Sequence, residues 1–378
     1  MTTQLDQQLV DTVCRLFGDG YREVLTPDTT MDDIEGWDSL TFVELVMQLE
    51  DVYGVQLTDD EAAQMFQLGH AQRILTQAIA DRPHDDVAYA SCMLQQLRER
   101  PAADVNVLVL SGSSTREALL PPRDARERLR AHHGSGEAGW FNLSVSGLVV
   151  AETLQLLEQL DEPFPGVVLI GMSPVILAGC GTAEFHRSAD RRRFPFAAPR
   201  MQEVLAAEGY RPGPEANTPV PLPVWVERYL KGRSLDDLQY DPYKYPTLAP
   251  WDEDRYHDRE SILRFYNASL LNHSESRRIN ERLLDEVVAW RDRVGVPVGF
   301  VELTLHSRMR AFLDELGGVQ SAYTDWVADY TARHRIPWFD VPSTVGLADE
   351  DFRDPAHIHR RRDAFTEQLV MDALTLRR

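Results

Sequence analysis

Cysteine, long apolar runs and basic residues are all scarce in this 378-residue chain. The three cysteines, Cys14, Cys92 and Cys180, are too far apart to form a C-x-x-C pair or a disulfide framework. No run reaches the roughly 18 apolar residues that a membrane-spanning helix needs. Acidic and polar residues interrupt the first segment, unlike a secretory signal. We therefore expect a soluble, cytoplasmic, globular protein without a membrane partner, and we predict no metal site.

The shortage of basic residues limits the classes of partner. The chain has 39 Lys and Arg against 60 Asp and Glu, a net charge of −21 at pH 7. A surface this acidic repels phosphate backbones, which argues against nucleic acid as a partner. With 43% hydrophobic residues, the chain can still bury a core, and its length suits two domains.

The negative charge is concentrated at the N-terminal end. Residues 1–83 contain 16 acidic and four basic residues, so they carry 12 of the 21 net negative charges. Such an asymmetry indicates a separate acidic domain. Pro83 and the polar residues after it mark its end. We therefore predict a first domain at 1–82, a linker helix at 83–102 and a second domain at 103–378.

The spacing of apolar residues in the first domain is helical. One apolar stripe runs through residues 9–17, and a second begins after Asp38, a residue type suited to N-cap a helix. Gly54 is a suitable residue to end that second helix. Shorter helices are predicted around 59–66 and 71–79. The first domain is thus predicted to be a small four-helix bundle.

The segment Gly36-Trp37-Asp38-Ser39-Leu40 resembles the Asp-Ser-Leu motif of acyl and peptidyl carrier proteins. In that family the serine receives 4′-phosphopantetheine, so the resemblance implies this covalent cofactor on Ser39. It also implies a phosphopantetheinyl transferase and an acyl- or aminoacyl-loading enzyme as partners. A helix N-terminus suits an attached phosphodiester, although Ser39 taken alone is also an ordinary helix-start residue. Acidic residues further along the helix either dock basic partner enzymes or are simply solvated (Glu44, Glu50 and Asp51).

Strands and helices alternate in the second domain. Short apolar runs of this kind are typical of strands buried in a parallel sheet, and the alternation indicates a three-layer α/β/α fold. Such folds bind ligands at the carboxyl ends of their strands. We predict strands at 105–110, 167–170, 298–303 and 336–341, and helices at 87–100, 115–120, 148–160, 275–294 and about 361–376.

Residues 110–115 resemble the first block of the SGNH (GDSL-type) hydrolases, whose Gly-Asp-Ser places the nucleophile third. By that register the nucleophile is Ser114, with Ser113 as the alternate. Residues 142–147 resemble the second block, whose final glycine, here Gly147, supplies an N–H to the oxyanion hole. Outside the resemblance, Ser111 to Ser114 is an ordinary polar loop between a strand and a helix.

The segment 351–358 resembles the last SGNH block, Asp-x-x-His, and maps Asp354 and His357 onto the orienting acid and the general base. A neutral serine needs such a histidine to accept its proton, and a carboxylate to fix the imidazole tautomer. His359 is a rival base, but its spacing does not fit the motif. A helix cap followed by a surface histidine is the alternative interpretation of the pair.

The third block departs from the family. Where Gly-x-Asn-Asp is expected, the chain has Gly171-Met172-Ser173-Pro174, so Ser173 is the candidate oxyanion donor in place of asparagine. This departure resembles SGNH-like O-acyltransferases, including the D-alanyl transfer protein of teichoic acid modification. The combination implies that the carrier delivers a thioester to Ser114, which passes the acyl group to an acceptor small molecule in a biosynthetic pathway. A thioesterase or esterase, and a non-catalytic carrier with a binding module, are the alternatives.

Residues 180–260 form an insertion rich in proline and aromatic residues. Long insertions of this kind are often lids or binding loops, and a surface extension that forms a dimer contact is an equal alternative. Within it, Arg191-Arg192-Arg193 is either a docking point for the acidic carrier or a solvated run.

Overall fold

The chain divides into two compact units. The computed structural model describes residues 5–53, 57, 62–81, 85–99, 104–134, 136–145, 147–160, 162–178, 185, 189, 194–211, 219, 221–227, 273–315 and 317–377. Of these, the residues up to Tyr89 form the first unit and those from Ala90 form the second. The division falls inside a helix, Asp85–Glu99, in the region predicted as a linker helix.

The first unit is helical. Its helices are α1 (Gln7–Phe17), α2 (Ser39–Tyr53) and α3 (Leu68–Asp81), and α4 (Asp85–Glu99) runs across the division between the units. The helices predicted at 9–17, after Asp38 and at 71–79 are therefore present. Of the helix predicted around 59–66, residues 59–61 lie outside the described residues, and among residues 62–66 only Ala62 is helical. The core of this unit is built from apolar side chains of all three helices and of the loop before α2 (Leu9, Val13, Ile34, Trp37, Leu45, Leu49 and Leu75 among them).

The second unit is built on a parallel five-stranded sheet with the order β2-β1-β3-β4-β5. Four of the strands lie where the apolar runs predict them. The other, β2, is interrupted by Gly139, Asn142 and Ser144, so it lacks the continuous apolar run that marks its neighbours. The strands are β1 (Val105–Ser111), β2 (Ala138–Ser144), β3 (Gly166–Met172), β4 (Val298–Glu302) and β5 (Trp338–Phe339).

Helices cover both faces of this sheet, as right-handed crossovers require when the strand order reverses beside β1. The helices are α5 (Ser113–Ala118), α6 (Pro122–His133), α7 (Val150–Leu157), α8 (Pro174–Ala178), α9 (Pro199–Ala207), α10 (Leu222–Trp225), α11 (His273–Val294), α12 (Ser307–Glu315), α13 (Val319–His334), α14 (Val341–Thr344) and α15 (Arg362–Arg377). Helices α5, α6 and α15 pack together on one face. The described helices include none that is long and apolar enough to cross a membrane.

The strand order determines where a ligand site is expected. In a doubly wound sheet the crevice lies at the carboxyl ends of the two strands between which the connections reverse, here β1 and β3. Alternate residues of β1 pack beneath α15 in the core of that face (Val105, Val107, Val109, Phe365, Leu369 and Val370). The turn that leaves β1 at Gly112 therefore lies at the edge of the sheet where this crevice is expected.

Part of the described portion of the 180–260 insertion is buried in the core. Phe185, Phe194 and Phe196 are fully buried. The Gln155 side chain on α7 donates hydrogen bonds to the main-chain carbonyls of Phe194 and Phe196, at 2.7 and 2.8 Å. The stretch from Phe194 to Phe196 therefore packs against α7, and the prediction of a lid or a dimer contact for the whole insertion stays a prediction. The Arg191–Arg193 run and residues 228–272 lie outside the described residues.

Gly171 on β3 provides a test of the packing beneath the turn that leaves β1. A Cβ atom at this position would lie 1.9 Å from Ser111 Oγ and 2.7 Å from a Leu303 methyl carbon. We expect Gly171→Ala to lower the free energy of unfolding of the second unit by about 1–3 kcal/mol, the usual cost of overpacking. Urea denaturation of the full chain measures it.

The matched control is Gly112→Ala, because a Cβ there meets no atom within 4 Å and the residue has an extended φ of −81°. Its denaturation midpoint should stay close to that of the wild type. Equal stability of the two variants would contradict the close approach of Ser111 to β3.

Candidate active site and carrier site

The turn after β1 places a serine at the start of a helix. β1 ends at Ser111, Gly112 is extended, and α5 begins at Ser113. Ser111 Oγ donates to Thr115 Oγ1 at 2.7 Å in a buried hydrogen bond. This bond ties the first turn of α5 to the end of the strand and so fixes the direction in which the Ser113 side chain points.

A chain of three side chains meets at this turn. His357 Nε2 lies 2.8 Å from Ser113 Oγ. His357 Nδ1 lies 2.8 and 2.9 Å from the two carboxylate oxygens of Asp354. With Nδ1–H donating to the carboxylate, Nε2 is left to accept the serine hydroxyl proton. The structure brings the predicted Asp354 and His357 together, and this arrangement can activate a serine as a nucleophile.

The serine beside the histidine is Ser113, the alternate, and not Ser114, which the SGNH register names as the nucleophile. The catalytic role of either serine stays a prediction. Consecutive residues of a helix point about 100° apart, and only one of the two hydroxyls can face the histidine. The hydroxyl that faces the histidine therefore belongs to the residue directly after Gly112. His357, rather than the rival His359, makes the contact, and burial, helped by the charge of Arg360, lowers the pKa of His359.

The loop that carries the acid and the base is held from two sides. Asp354 Oδ1 accepts the main-chain N–H groups of Ala356 and His357 at 2.9 and 2.8 Å. Thr304, which follows β4, donates its hydroxyl to the Ala356 carbonyl at 2.6 Å. Burial alone would raise the pKa of Asp354, but the hydrogen bond and charge of His357 outweigh it and hold this pKa below its usual value. Asp354 is therefore ionised at neutral pH, as an orienting carboxylate must be.

The two predicted oxyanion donors follow the strands on either side of β1. Gly147 lies in a turn after β2, with a φ of +60° that favours glycine. Ser173 is buried after β3, and its hydroxyl oxygen accepts the N–H of Ile176 at 3.1 Å, which caps α8. That bond uses the oxygen as an acceptor and leaves the hydroxyl proton to donate. Their roles in an oxyanion hole stay predictions.

Two charged residues that were not predicted border the site. The Glu117 carboxylate, one helical turn after Ser113, lies 3.8 Å from His357 Nε2. Arg353 forms an ion pair with Glu117 and places its Nε 3.5 Å from Asp354 Oδ2. The i, i+4 spacing of Ser113 and Glu117 is a signal in the sequence that could have found the glutamate.

Glu302 ends β4 at the same edge of the sheet but adds no charge there. Burial raises its pKa to about 8, and the Tyr323 hydroxyl lies 2.9 Å from its Oε2. The carboxyl group is consequently protonated at pH 7. The negative charge beside His357 therefore comes from Asp354 and Glu117.

In the first unit, the chain around Ser39 is a firmly capped helix start. Asp38 Oδ1 accepts the N–H of Thr41 at 2.9 Å, and Thr41 Oγ1 accepts the N–H of Asp38 at 2.8 Å. Trp37 is buried and stacks on Phe17, with ring centroids 5.4 Å apart. Ser39 is the first residue of α2, and its side chain lies outside the described residues.

These features fit a phosphopantetheine attachment point. Gly36 and Asp38, just before the serine, are exposed, while Trp37 anchors the turn in the core. The N-terminus of α2 presents main-chain N–H groups and the positive end of its dipole, which suit a phosphodiester. Ser39 would carry the group, which supplies a thiol for carrying acyl groups, and the bonds between Asp38 and Thr41 would hold the helix start.

Comparison with known proteins supports this assignment. The family model described as "Phosphopantetheine attachment site" matches residues 7–67. The chain is 40% identical over 50 residues to the acyl carrier protein of Lactobacillus johnsonii, a region that covers 13% of this chain and 62% of that protein. The chain thus spans less than two thirds of the length of this curated relative. No solved structure matches the chain. The N-terminal unit is a phosphopantetheine-binding carrier domain, and its cofactor is covalently attached 4′-phosphopantetheine.

We expect Ser39 to be the attachment residue, because it is the first residue of α2 and follows Asp38, which caps that helix. Incubation with coenzyme A and a phosphopantetheinyl transferase should add the mass of one arm to the wild-type chain and none to Ser39→Ala. Intact-mass spectrometry measures this. Ser113→Ala is the control and should accept the arm normally, whereas modification of the Ser39→Ala chain would show that another residue is the acceptor.

Proposed function

We propose that the second unit is a serine acyl-transfer enzyme that takes an acyl group from the phosphopantetheine thioester of the carrier domain. The contact between Ser113 Oγ and His357 Nε2, with Asp354 on the other imidazole nitrogen, carries the proposal. The acyl group passes through Ser113 to an acceptor small molecule. The covalent cofactor of the first unit supplies the thioester chemistry.

In the first half-reaction, Ser113 attacks the thioester carbonyl while its hydroxyl proton moves to His357 Nε2. The carbon–oxygen bond to Ser113 would form as the carbon–sulfur bond of the thioester breaks, and His357 Nε2 would give its proton to the leaving sulfur. Asp354 stays ionised and stabilises the imidazolium that exists between these steps. The product is an acyl ester on Ser113 and a discharged carrier thiol.

In the second half-reaction, an acceptor hydroxyl or amine attacks the acyl ester. Its proton moves to His357 Nε2, the bond to the acceptor forms, and Ser113 Oγ regains a proton from Nε2 as it leaves. The main-chain N–H of Gly147 and the hydroxyl of Ser173 are the proposed donors to the negative oxygen in both halves. Removal of one such donor typically costs about 2.7–4 kcal/mol of transition-state stabilisation.

Transfer is favoured over hydrolysis by two features of the chain. An enzyme that passed the acyl group to water would continually discharge the carrier to which it is fused. In addition, Ser173 stands where plain SGNH hydrolases have asparagine. A thioesterase or esterase is the alternative, in which water replaces the acceptor in the second half-reaction.

The carrier domain needs partner enzymes in this scheme, a phosphopantetheinyl transferase and an enzyme that loads the acyl or aminoacyl group. Val43 and Met47 on α2 are half exposed, and Glu44 beside them is exposed. An apolar strip bordered by acids suits docking of a basic enzyme with an apolar contact patch.

The adjacent serines give a direct test of the nucleophile. Ser113→Ala should lower turnover of the loaded carrier by several orders of magnitude, because removal of a triad member has that effect. Ser114→Ala is the matched control, one residue away, and should retain most of the activity. Mass spectrometry of the loaded carrier, with and without candidate acceptors, follows the discharge.

An inactive Ser114→Ala variant with an active Ser113→Ala variant would show that Ser114 is the nucleophile, as the SGNH register predicts. Normal discharge by both variants would favour a non-catalytic carrier with a binding module.

A further inference from the structure

Glu117 has an unusual position for an acidic residue. Its side chain is 9% exposed, and its Oε1 lies 3.8 Å from His357 Nε2, the nitrogen that contacts Ser113 Oγ at 2.8 Å. The longer distance is outside hydrogen-bond range, so Ser113 and not Glu117 is the partner of Nε2. It is short enough for a strong charge interaction with a protonated imidazole.

The glutamate is held in this position by a cation. The Arg353 guanidinium forms an ion pair with Glu117 Oε2, and Arg116 lies 3.9 Å from Oε1. Arg353 also donates its main-chain N–H to the His357 carbonyl at 3.0 Å. The same residue therefore fixes the glutamate and belongs to the loop that carries the histidine. Without the Arg353 guanidinium, we expect the Glu117 carboxylate to move onto His357 Nε2 in place of the Ser113 hydroxyl.

The charged groups around His357 are two carboxylates and two guanidinium groups. Asp354 contacts Nδ1 and Glu117 lies near Nε2, while Arg353 and Arg116 face the two carboxylates. When Ser113 transfers its proton, the imidazolium has a carboxylate on each side. Because these groups are nearly buried, solvent screens their interactions weakly.

We propose that Glu117, restrained by Arg353, is a positioning residue that stabilises protonated His357 during acyl transfer. This inference rests on the proposed function. Glu117 neither gains nor loses a proton, since the serine proton stays on Nε2 until the departing sulfur takes it. Its charge acts through His357, and the restraint by Arg353 keeps Nε2 directed at Ser113.

The test follows the rate at which a fluorophosphonate probe labels Ser113 as a function of pH. In Glu117→Gln the neutral base should persist to lower pH, because the imidazolium has lost one negative neighbour. The pH of half-maximal labelling should fall by about one unit, the lower end of the usual effect of a neighbouring charge at this distance. The plateau rate of labelling should fall about tenfold, the factor that corresponds to a change of one pH unit.

Two further variants separate charge from packing. Glu117→Asp keeps the charge, so its pH of half-maximal labelling should stay near the wild-type value even where the plateau rate falls. Glu127→Gln, on an exposed residue of α6 that pairs with Arg123, removes a charge away from the site and should match the wild type.

The outcomes distinguish this inference from the proposed function. Labelling that depends on Ser113 but shows the same pH profile in Glu117→Gln and wild type would overturn the inference alone. A loss of plateau rate without a shift of the profile would also overturn it, because packing alone would then explain the loss. Labelling that persists in Ser113→Ala would overturn both.

Discussion

The candidate site depends on one contact, the 2.8 Å approach of His357 Nε2 to Ser113 Oγ, which joins residues 244 positions apart in the sequence. Ser113 leaves the sheet at the end of β1, and His357 lies in the loop before α15. Packing of α15 against α5 and α6 brings His357 and Ser113 together. The main-chain N–H of Leu120 donates to Thr366 Oγ1 at 2.9 Å, and Arg128 pairs with Glu367 at 3.0 Å. A loss of α15 packing would therefore separate the base from the nucleophile.

In the proposed reaction, the two units divide the chemistry between them. The carrier domain would deliver a thioester on its covalent arm, and residues 1–83 carry most of the net negative charge of the chain. The α/β unit provides a serine, a base and an ionised acid whose relative positions are fixed by buried hydrogen bonds. A mobile substrate and a rigid site suit acyl transfer, since the serine ester separates delivery by the carrier from attack by the acceptor.

The parts of this structure that local sequence dictates were predictable. Continuous apolar runs located β1, β3 and β4, and the three-residue spacing of Asp354 and His357 placed both side chains on one loop. β2 lacks such a run because Asn142 and Ser144 interrupt it. The choice between Ser113 and Ser114 depended on the residue at which α5 begins, and helix ends are uncertain by a residue or two from sequence.

The spacing of Ser113 and Glu117 places both on one face of a helix, but the burial and pairing of the charged residues could not be found from the sequence pattern. The sequence favours exposed side chains at Glu117 and Arg353, because charged side chains are rarely buried unless they pair. Their pairing depends on contacts between residues 236 positions apart. The burial of Phe194 and Phe196 likewise involves Gln155 of α7, a long-range contact that the sequence pattern did not indicate.

The central claim is that the acyl group rests on Ser113 between carrier and acceptor. The most direct measurement loads the phosphopantetheinylated chain with an isotopically labelled acyl thioester, quenches it in acid over milliseconds to minutes, and maps the label by peptide mass spectrometry. The account predicts that label leaves the Ser39 arm, accumulates as an ester on Ser113 and disappears when acceptor is added. Discharge of the arm with no ester on Ser113 at any time would contradict it.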